Sequence, residues 1–271
     1  MGEAIKYFIL GVVQGISEIL PISSSGHLQL AKYLLGVNTS ENLMLEIMLH
    51  FASLIALIIF FWKLIVDIIR DFFIYIFKRK AQAKHNFMLG VYVIVASIPV
   101  AIVGFLFEDQ VNRIFANLIF TAIGFLITSI MLYMVYNRKT HNVYDVDMKK
   151  ALFIGSAQMI GVLPGVSRSG TTLAAAKLAN VEITKAKEFV FLLFLPVAFG
   201  SFVFSLGDIN EIQNAGSGLS LNLIGMISSF FFTFLSLNFI FKKLKFEHYK
   251  YFSMYCLFIS IVTFICYFTM K

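Results

Sequence analysis

Charge is scarce in this chain: of 271 residues only 14% are Asp, Glu, Lys or Arg, while 59% are hydrophobic. Soluble domains carry about a quarter charged residues, so this composition excludes an ordinary soluble globule and points to an integral membrane protein. Cysteine is nearly absent. Cys256 and Cys266 both fall in the last apolar stretch without metal-ligand spacing or a second pair, which argues against a disulfide framework and a zinc site. Acidic residues are the minority sign, 15 against 22 basic ones, for a net charge of +7. In a membrane chain such an excess marks cytoplasmic loops and an anionic inner leaflet, so nucleic acid is not an expected partner. The apolar character continues along the whole chain, which argues against a cleaved signal peptide on a soluble protein.

Two polar islands interrupt the apolar sequence: Gln14-Gly-Ile-Ser-Glu18-Ile-Leu-Pro-Ile-Ser-Ser-Ser-Gly-His27 and Gln158-Met-Ile-Gly-Val-Leu-Pro-Gly-Val-Ser-Arg168-Ser-Gly-Thr-Thr172. A shift of 144 residues carries Gly11 onto Gly155, Gln14 onto Gln158, Ile16 onto Ile160, Ser23 onto Ser167, Ser25 onto Ser169 and Gly26 onto Gly170. Proline, glycine and a hydroxyl run inside an apolar stretch mark a broken helix whose irregular backbone lines a cavity.

A spanning helix needs about 20 apolar residues. Six stretches qualify, about 43–62, 87–107, 114–136, 188–207, 221–241 and 251–270, while 4–35 and 151–178 are broken by the islands and are expected to enter and return on one side. Residues 64–77 carry Asp67, Arg70 and Asp71 and read as an interfacial helix; 78–86 and 137–150 read as charged loops and 208–220 as a flexible outer loop. With the loops grouped by this scheme, seventeen Lys and Arg residues fall on one side and four on the other, with Arg168 apart. The excess side is cytoplasmic, which puts the termini outside. The first hairpin then dips in from outside and the second from inside. The expected fold is an all-α polytopic membrane protein with six transmembrane helices plus two re-entrant helix-loop-helix hairpins. It forms a single membrane domain built as an inverted-topology repeat, about 1–136 and 151–271, with the two tips meeting near the midplane.

Arg168 is the strongest chemical clue, because a guanidinium at membrane depth costs roughly 2.5–3.5 kcal/mol on insertion scales. Its planar fork suits two phosphate oxygens. Ser167, Ser169, Gly170, Thr171 and Thr172 around it offer hydroxyls and close backbone approach, and a helix resuming near Thr171 would aim N–H groups at an anion. The alternative is an Arg that only pairs with Glu18 to hold the repeats together. Gln14 and Glu18 share a helix face just before Pro21, and an amide oxygen with a carboxylate could hold a hard divalent cation. Beyond the break come Ser23, Ser24, Ser25, Gly26 and His27, where a serine could act as nucleophile and the imidazole as base or nucleophile. Glu46 and His50, four apart, could line the pocket or pair on a helix surface. The 31 Phe residues suit lipid contact and would suit a polyisoprenoid tail.

At Gln14-x-x-x-Glu18, Pro21-Ile-Ser-Ser-Ser-Gly-His27 and Pro164-Gly-Val-Ser-Arg-Ser-Gly-Thr-Thr172 the sequence resembles the undecaprenyl-diphosphatase family, bacterial enzymes linked to bacitracin resistance; length, span layout and Leu45-Glu-Ile-Met-Leu-His50 agree as well. The resemblance implies hydrolysis of undecaprenyl diphosphate to the monophosphate in the bacterial cytoplasmic membrane, with the site facing outward and a divalent cation, Mg²⁺ or Ca²⁺, as cofactor. It implies Glu18 as metal ligand, Arg168 as diphosphate clamp, and Ser167, Ser169 and Thr172 as hydrogen-bond donors. The family's first acid position is Gln14 here, so an uncharged amide stands there and metal binding leans on Glu18. Either Ser24 or His27 could attack phosphorus; a hydroxyl flanked by a base and an anion-binding tip favours Ser24 as nucleophile with His27 as its base. The expected partners are a polyprenyl diphosphate and membrane lipids, and a homodimer is one arrangement the sequence leaves open. A polyprenyl-phosphate transporter is the other class that inverted repeats allow. The acid-phosphatase superfamily, echoed in the Ser-Gly-His and Ser-Arg fragments, fits less well because its later His-to-Asp pair does not follow Arg168.

Overall fold

The computed structural model describes residues 2–37, 43–107, 110, 114, 117–138, 144–205 and 219–269. Among these residues there are eleven α-helices and no strand beyond one isolated bridge between Tyr144 and Val181. A first hairpin, α1 (Glu3–Ile19) and α2 (Ser24–Leu35), is followed by α3 (Leu43–Phe60), α4 (Trp62–Lys78), α5 (Lys84–Leu106) and α6 (Leu118–Asn137). A second hairpin joins α7 (Met148–Ala157) to α8 (Arg168–Leu178) through a 3₁₀ turn at Ile160–Val162, and α9 (Ile183–Ser205), α10 (Leu219–Lys243) and α11 (Tyr249–Thr269) complete the chain.

Among the described residues five segments are long and apolar enough to cross a membrane: Ala81–Leu106, Leu118–Asn137, Ile183–Phe204, Ser220–Lys243 and Phe246–Thr269. The sixth expected crossing is α3, and α4 leaves it at a bend of 72°. That bend separates the stretch with Asp67, Arg70 and Asp71 from the apolar helix before it. Asp71 turns inward to accept from Asn86 Nδ2 at 2.7 Å, which ties α4 to α5. The third expected crossing begins at Leu118 rather than 114, and the outer loop at 208–220 lies almost wholly outside the described residues. Large apolar side chains such as Phe105, Met134, Ile227, Phe231, Phe258 and Phe268 are exposed on the outside, as a lipid solvent requires.

Helix contacts follow a paired pattern. Helix α1 packs on α10 and α7 on α5; α3 packs on α10 and α9 on α5; α3 meets α9 and α6 meets α11. Exchanging α1, α2, α3, α5 and α6 with α7, α8, α9, α10 and α11 maps these contacts onto themselves. The 144-residue shift seen in the islands has a packing counterpart: a Cβ on Gly11 would lie 2.2 Å from Gly225 O of α10, and one on Gly155 would lie 2.1 Å from Ala96 O of α5. Only glycine permits either approach, as is usual where membrane helices touch. Hydroxyls bind the remaining pairs. Ser129 and Ser253 each donate to the other's carbonyl at 2.8 Å across α6 and α11, and Ser53 bonds Thr233 at 2.9 Å across α3 and α10.

Candidate active site

Each hairpin breaks at its proline and restarts on a serine cap. In the first, Ser23 takes a left-handed backbone (φ 73°) and its Oγ accepts from Gly26 N at 3.4 Å, so α2 begins at Ser24. In the second, Gly165 takes the left-handed turn (φ 78°) after Pro164, and Ser167 Oγ accepts from Gly170 N at 3.0 Å. Helix α8 therefore begins at Arg168, three residues earlier than the sequence suggested, because the Ser167 side chain supplies the cap. The two tips meet. Ser169 Oγ donates to Leu20 O at 3.2 Å, and a Cβ on Gly26 would touch Gly165 Cα at 3.0 Å.

Glu18 is the hub of the polar cluster. Its side chain is 3% exposed; Oε1 lies 3.3 Å from Arg168 Nη2, and Oε2 accepts from Gln14 Nε2 at 2.9 Å and lies 3.4 Å from His50 Nδ1. The Arg168 guanidinium, partly open to the cavity, stacks 4.6 Å above the Phe194 ring, which covers its apolar side. A cavity of about 830 Å³ opens over this cluster, lined by Glu18, Ser24, His50, Arg168, Ser169 and Thr172, with Ser23, Ser25 and Ser167 at its margin. Its apolar half runs between α5, at Val100, Ala101 and Gly104, and α9, at Val197 and Gly200.

Several expected site residues point elsewhere. The structure does not bring His27 to Ser24: Nδ1 donates to Ser23 O at 2.7 Å, and Nε2 accepts from the Tyr255 hydroxyl at 2.7 Å. The ring is stacked on Tyr255 and edge-on to Phe125, so α6 and α11 hold it away from the cavity. Thr171 and Thr172 donate back to Ser167 O and Arg168 O at 2.7 and 2.8 Å, the usual fate of hydroxyls in apolar helices. Thr171, Gly26 and Gly170 do not line the cavity, and Gln14 is fully buried behind Glu18. Glu46 and His50 both line it without bonding each other. Glu46 instead pairs with Lys32, whose side chain is 1% exposed; the sequence had offered Lys32 only as one of four outer-side charges. His50 joins Gln14 and Glu18, a contact that its spacing from Glu46 concealed.

Among the described residues no group of three or more His, Cys, Asp or Glu could hold a metal. A hard cation still fits in part. Glu18 faces the cavity and could supply carboxylate oxygens to an ion whose remaining ligands are phosphate and water, whereas Gln14 Oε1 is buried without a partner but off the cavity, its amide nitrogen being the atom turned to Glu18.

A helical membrane protein in which two broken hairpins meet over a cavity lined by a guanidinium, a buried carboxylate and serines is of the kind that receives an anionic head group. The chain belongs to the family described as bacitracin resistance protein BacA, whose sequence model matches residues 7–262. It is 35% identical over 262 residues to undecaprenyl-diphosphatase 3 of Bacillus anthracis, covering 96% of this chain and 97% of the relative. Undecaprenyl-diphosphatase of Oceanobacillus iheyensis is 35% identical over 264 residues, covering 96% of each chain. That of Methanosphaera stadtmanae is 36% identical over 276 residues, covering 98% of each.

Proposed function

We propose that the protein hydrolyses undecaprenyl diphosphate to undecaprenyl phosphate and inorganic phosphate in the cytoplasmic membrane of a bacterium, with the cavity facing the outer side. The carrying observation is the 3.3 Å contact between Arg168 and Glu18 across the two hairpin tips at the floor of the cavity. An incoming diphosphate competes with Glu18 for the guanidinium, whose fork matches two phosphate oxygens. Once Arg168 turns to the phosphate, the released Glu18 carboxylate is free to take the proton of Ser24, which lines the same cavity. Ser24 Oγ then attacks the terminal phosphorus, its proton passes to Glu18, and the bond to the bridging oxygen breaks with undecaprenyl phosphate leaving. Undecaprenyl phosphate takes that proton from Glu18 on its bridging oxygen as it leaves, so the carboxylate can accept a proton from the water that attacks the phosphoserine and return it to Ser24 Oγ as inorganic phosphate is released. Glu18 replaces His27 as the base in this scheme because both His27 nitrogens are engaged.

A divalent cation, Mg²⁺ or Ca²⁺, would be held by Glu18 and would neutralise diphosphate charge; Gln14, the other expected ligand, keeps its amide oxygen behind Glu18 and away from the cavity. The polyprenyl tail would leave the polar cluster along the apolar half of the cavity, between α5 and α9. A Cβ on Gly104 or Gly200 would meet nothing within 4 Å, so both positions border open space, and the edge-to-face pair Phe105–Phe204 at 6.5 Å bounds that end. The repeats run from about 1 to 136 and 151 to 271, within one membrane domain. Transport of a polyprenyl phosphate by the same cavity is not favoured, since the cited relatives are named diphosphatases.

The test is phosphate release from a polyprenyl diphosphate by purified protein. Arg168→Ala and Glu18→Ala should each lower it by about 100-fold or more, as loss of a charge-stabilising group does. Activity retained in both variants would overturn the reading, and uptake of polyprenyl phosphate by a hydrolysis-dead variant in sealed vesicles would favour transport.

A further inference from the structure

We infer that His50 is a further binding residue for the diphosphate: it presents Nε2–H to a phosphate oxygen, and Gln14 fixes the tautomer that makes this possible. The inference rests on the diphosphatase reading of the cavity and assigns roles to two residues whose part in it was open.

A carboxylate oxygen only accepts, so the Gln14 atom 2.9 Å from Glu18 Oε2 is the amide nitrogen, which fixes the orientation of the side chain. The same nitrogen lies 2.9 Å from His50 Nδ1. One N–H of the amide is given to the carboxylate, and the other has the ring nitrogen as acceptor. Nδ1 therefore carries the lone pair and the ring proton resides on Nε2. The competing arrangement, Nδ1–H donating to Glu18 Oε2, would have to span 3.4 Å and turn a proton toward the amide proton.

Nε2 makes no hydrogen bond among the described residues, although His50 is packed between α1 and the interior. The side chain is 34% exposed and lines the cavity, so the open nitrogen borders the space a phosphate would enter. Arg168 approaches Glu18 at Oε1 and His50 at Oε2. Arg168 and His50 thus sit at opposite oxygens of one carboxylate, and an anion drawn in by Arg168 enters the space that the Nε2–H side of His50 borders. The neutral amide at position 14 matters here: it leaves Nδ1 as an acceptor, whereas a carboxylate there would draw the proton to Nδ1 and turn a lone pair toward the anion.

Two measurements test this. In steady-state hydrolysis of a polyprenyl diphosphate, His50→Leu should raise KM about 10- to 100-fold, the usual effect of losing a hydrogen bond to a charged group, with a smaller change in kcat. His50→Gln, whose amide N–H overlies Nε2–H, should recover most of that loss, which a purely structural histidine would not predict. ¹⁵N spectra of histidine-labelled protein, with the His50 signals identified by their loss in His50→Gln, should show the Nε2–H tautomer and a shift of that nitrogen on adding inorganic pyrophosphate. An unchanged KM in folded His50→Leu, an Nδ1–H tautomer, or no response to pyrophosphate would each overturn the inference while wild-type hydrolysis still supports the diphosphatase reading. A His50 response to pyrophosphate in a wild-type protein that hydrolyses no polyprenyl diphosphate would overturn that reading and leave the donor in place.

Discussion

At the position where the first hairpin starts α2 with Ser24, the second starts α8 with Arg168; both follow a serine whose Oγ accepts from a glycine three residues on. The same shift sets Ser25 opposite Ser169, and each bonds its capping serine at 3.3 Å. The residues that differ carry the chemistry: Glu18 corresponds to Val162, Ser24 to Arg168, and His27 to Thr171. One backbone design thus supplies an acid and a hydroxyl from one side and a cation from the other. Neither hairpin holds a complete site, and the contact of the tips is what makes one.

This division of labour can be broken in graded ways. The largest loss should follow removal of the unlike residues, since Glu18→Ala and Arg168→Ala each strip charge from the floor of the cavity; a fall of about 100-fold or more in phosphate release is expected. Ser24→Ala should also abolish trapping of a phosphoenzyme, whereas removing a hydroxyl at the second tip, Ser169→Ala, should leave trapping intact and cost a few-fold in rate. A plug in the apolar half, Gly104→Phe or Gly200→Phe, should raise KM for a long polyprenyl diphosphate and spare a short-chain diphosphate, because both glycines border open space away from the polar cluster. The smallest effects should come from the like residues: Ser23→Ala and Ser167→Ala each remove a helix cap and should cost about 1 kcal/mol of stability, to a similar extent in both hairpins. Thermal unfolding in detergent measures this, and strongly unequal losses would show that the caps are not equivalent.

Much of this comparison was legible in the sequence, and the reason is physical. Broken membrane helices need proline, glycine and hydroxyls at fixed offsets, so the islands announced both hairpins, and the 144-residue shift announced their kinship. A lone guanidinium in an apolar stretch likewise needed a partner, and Glu18 was the expected one. Contacts distant along the chain were not legible. His27 is held by Tyr255, 228 residues away, and that bond turns its ring from the serine that spacing alone had paired with it. Lys32 and Glu46 belong to different helices, so their pairing left no periodic trace. His50 reaches Gln14 and Glu18 across α3 and α1, while its four-residue spacing from Glu46 suggested a place in the pocket or a surface pair and gave no sign of a contact with α1.

Convergence of the two hairpins on one phosphate is tested most directly by a double-mutant cycle in phosphate release from polyprenyl diphosphate, comparing Glu18→Ala, Arg168→Ala and the combined variant. Groups that act as a unit are strongly non-additive, so the combined variant should be scarcely worse than either single one. Losses that multiply would mean that the carboxylate and the guanidinium act independently, contradicting a shared grip on the substrate.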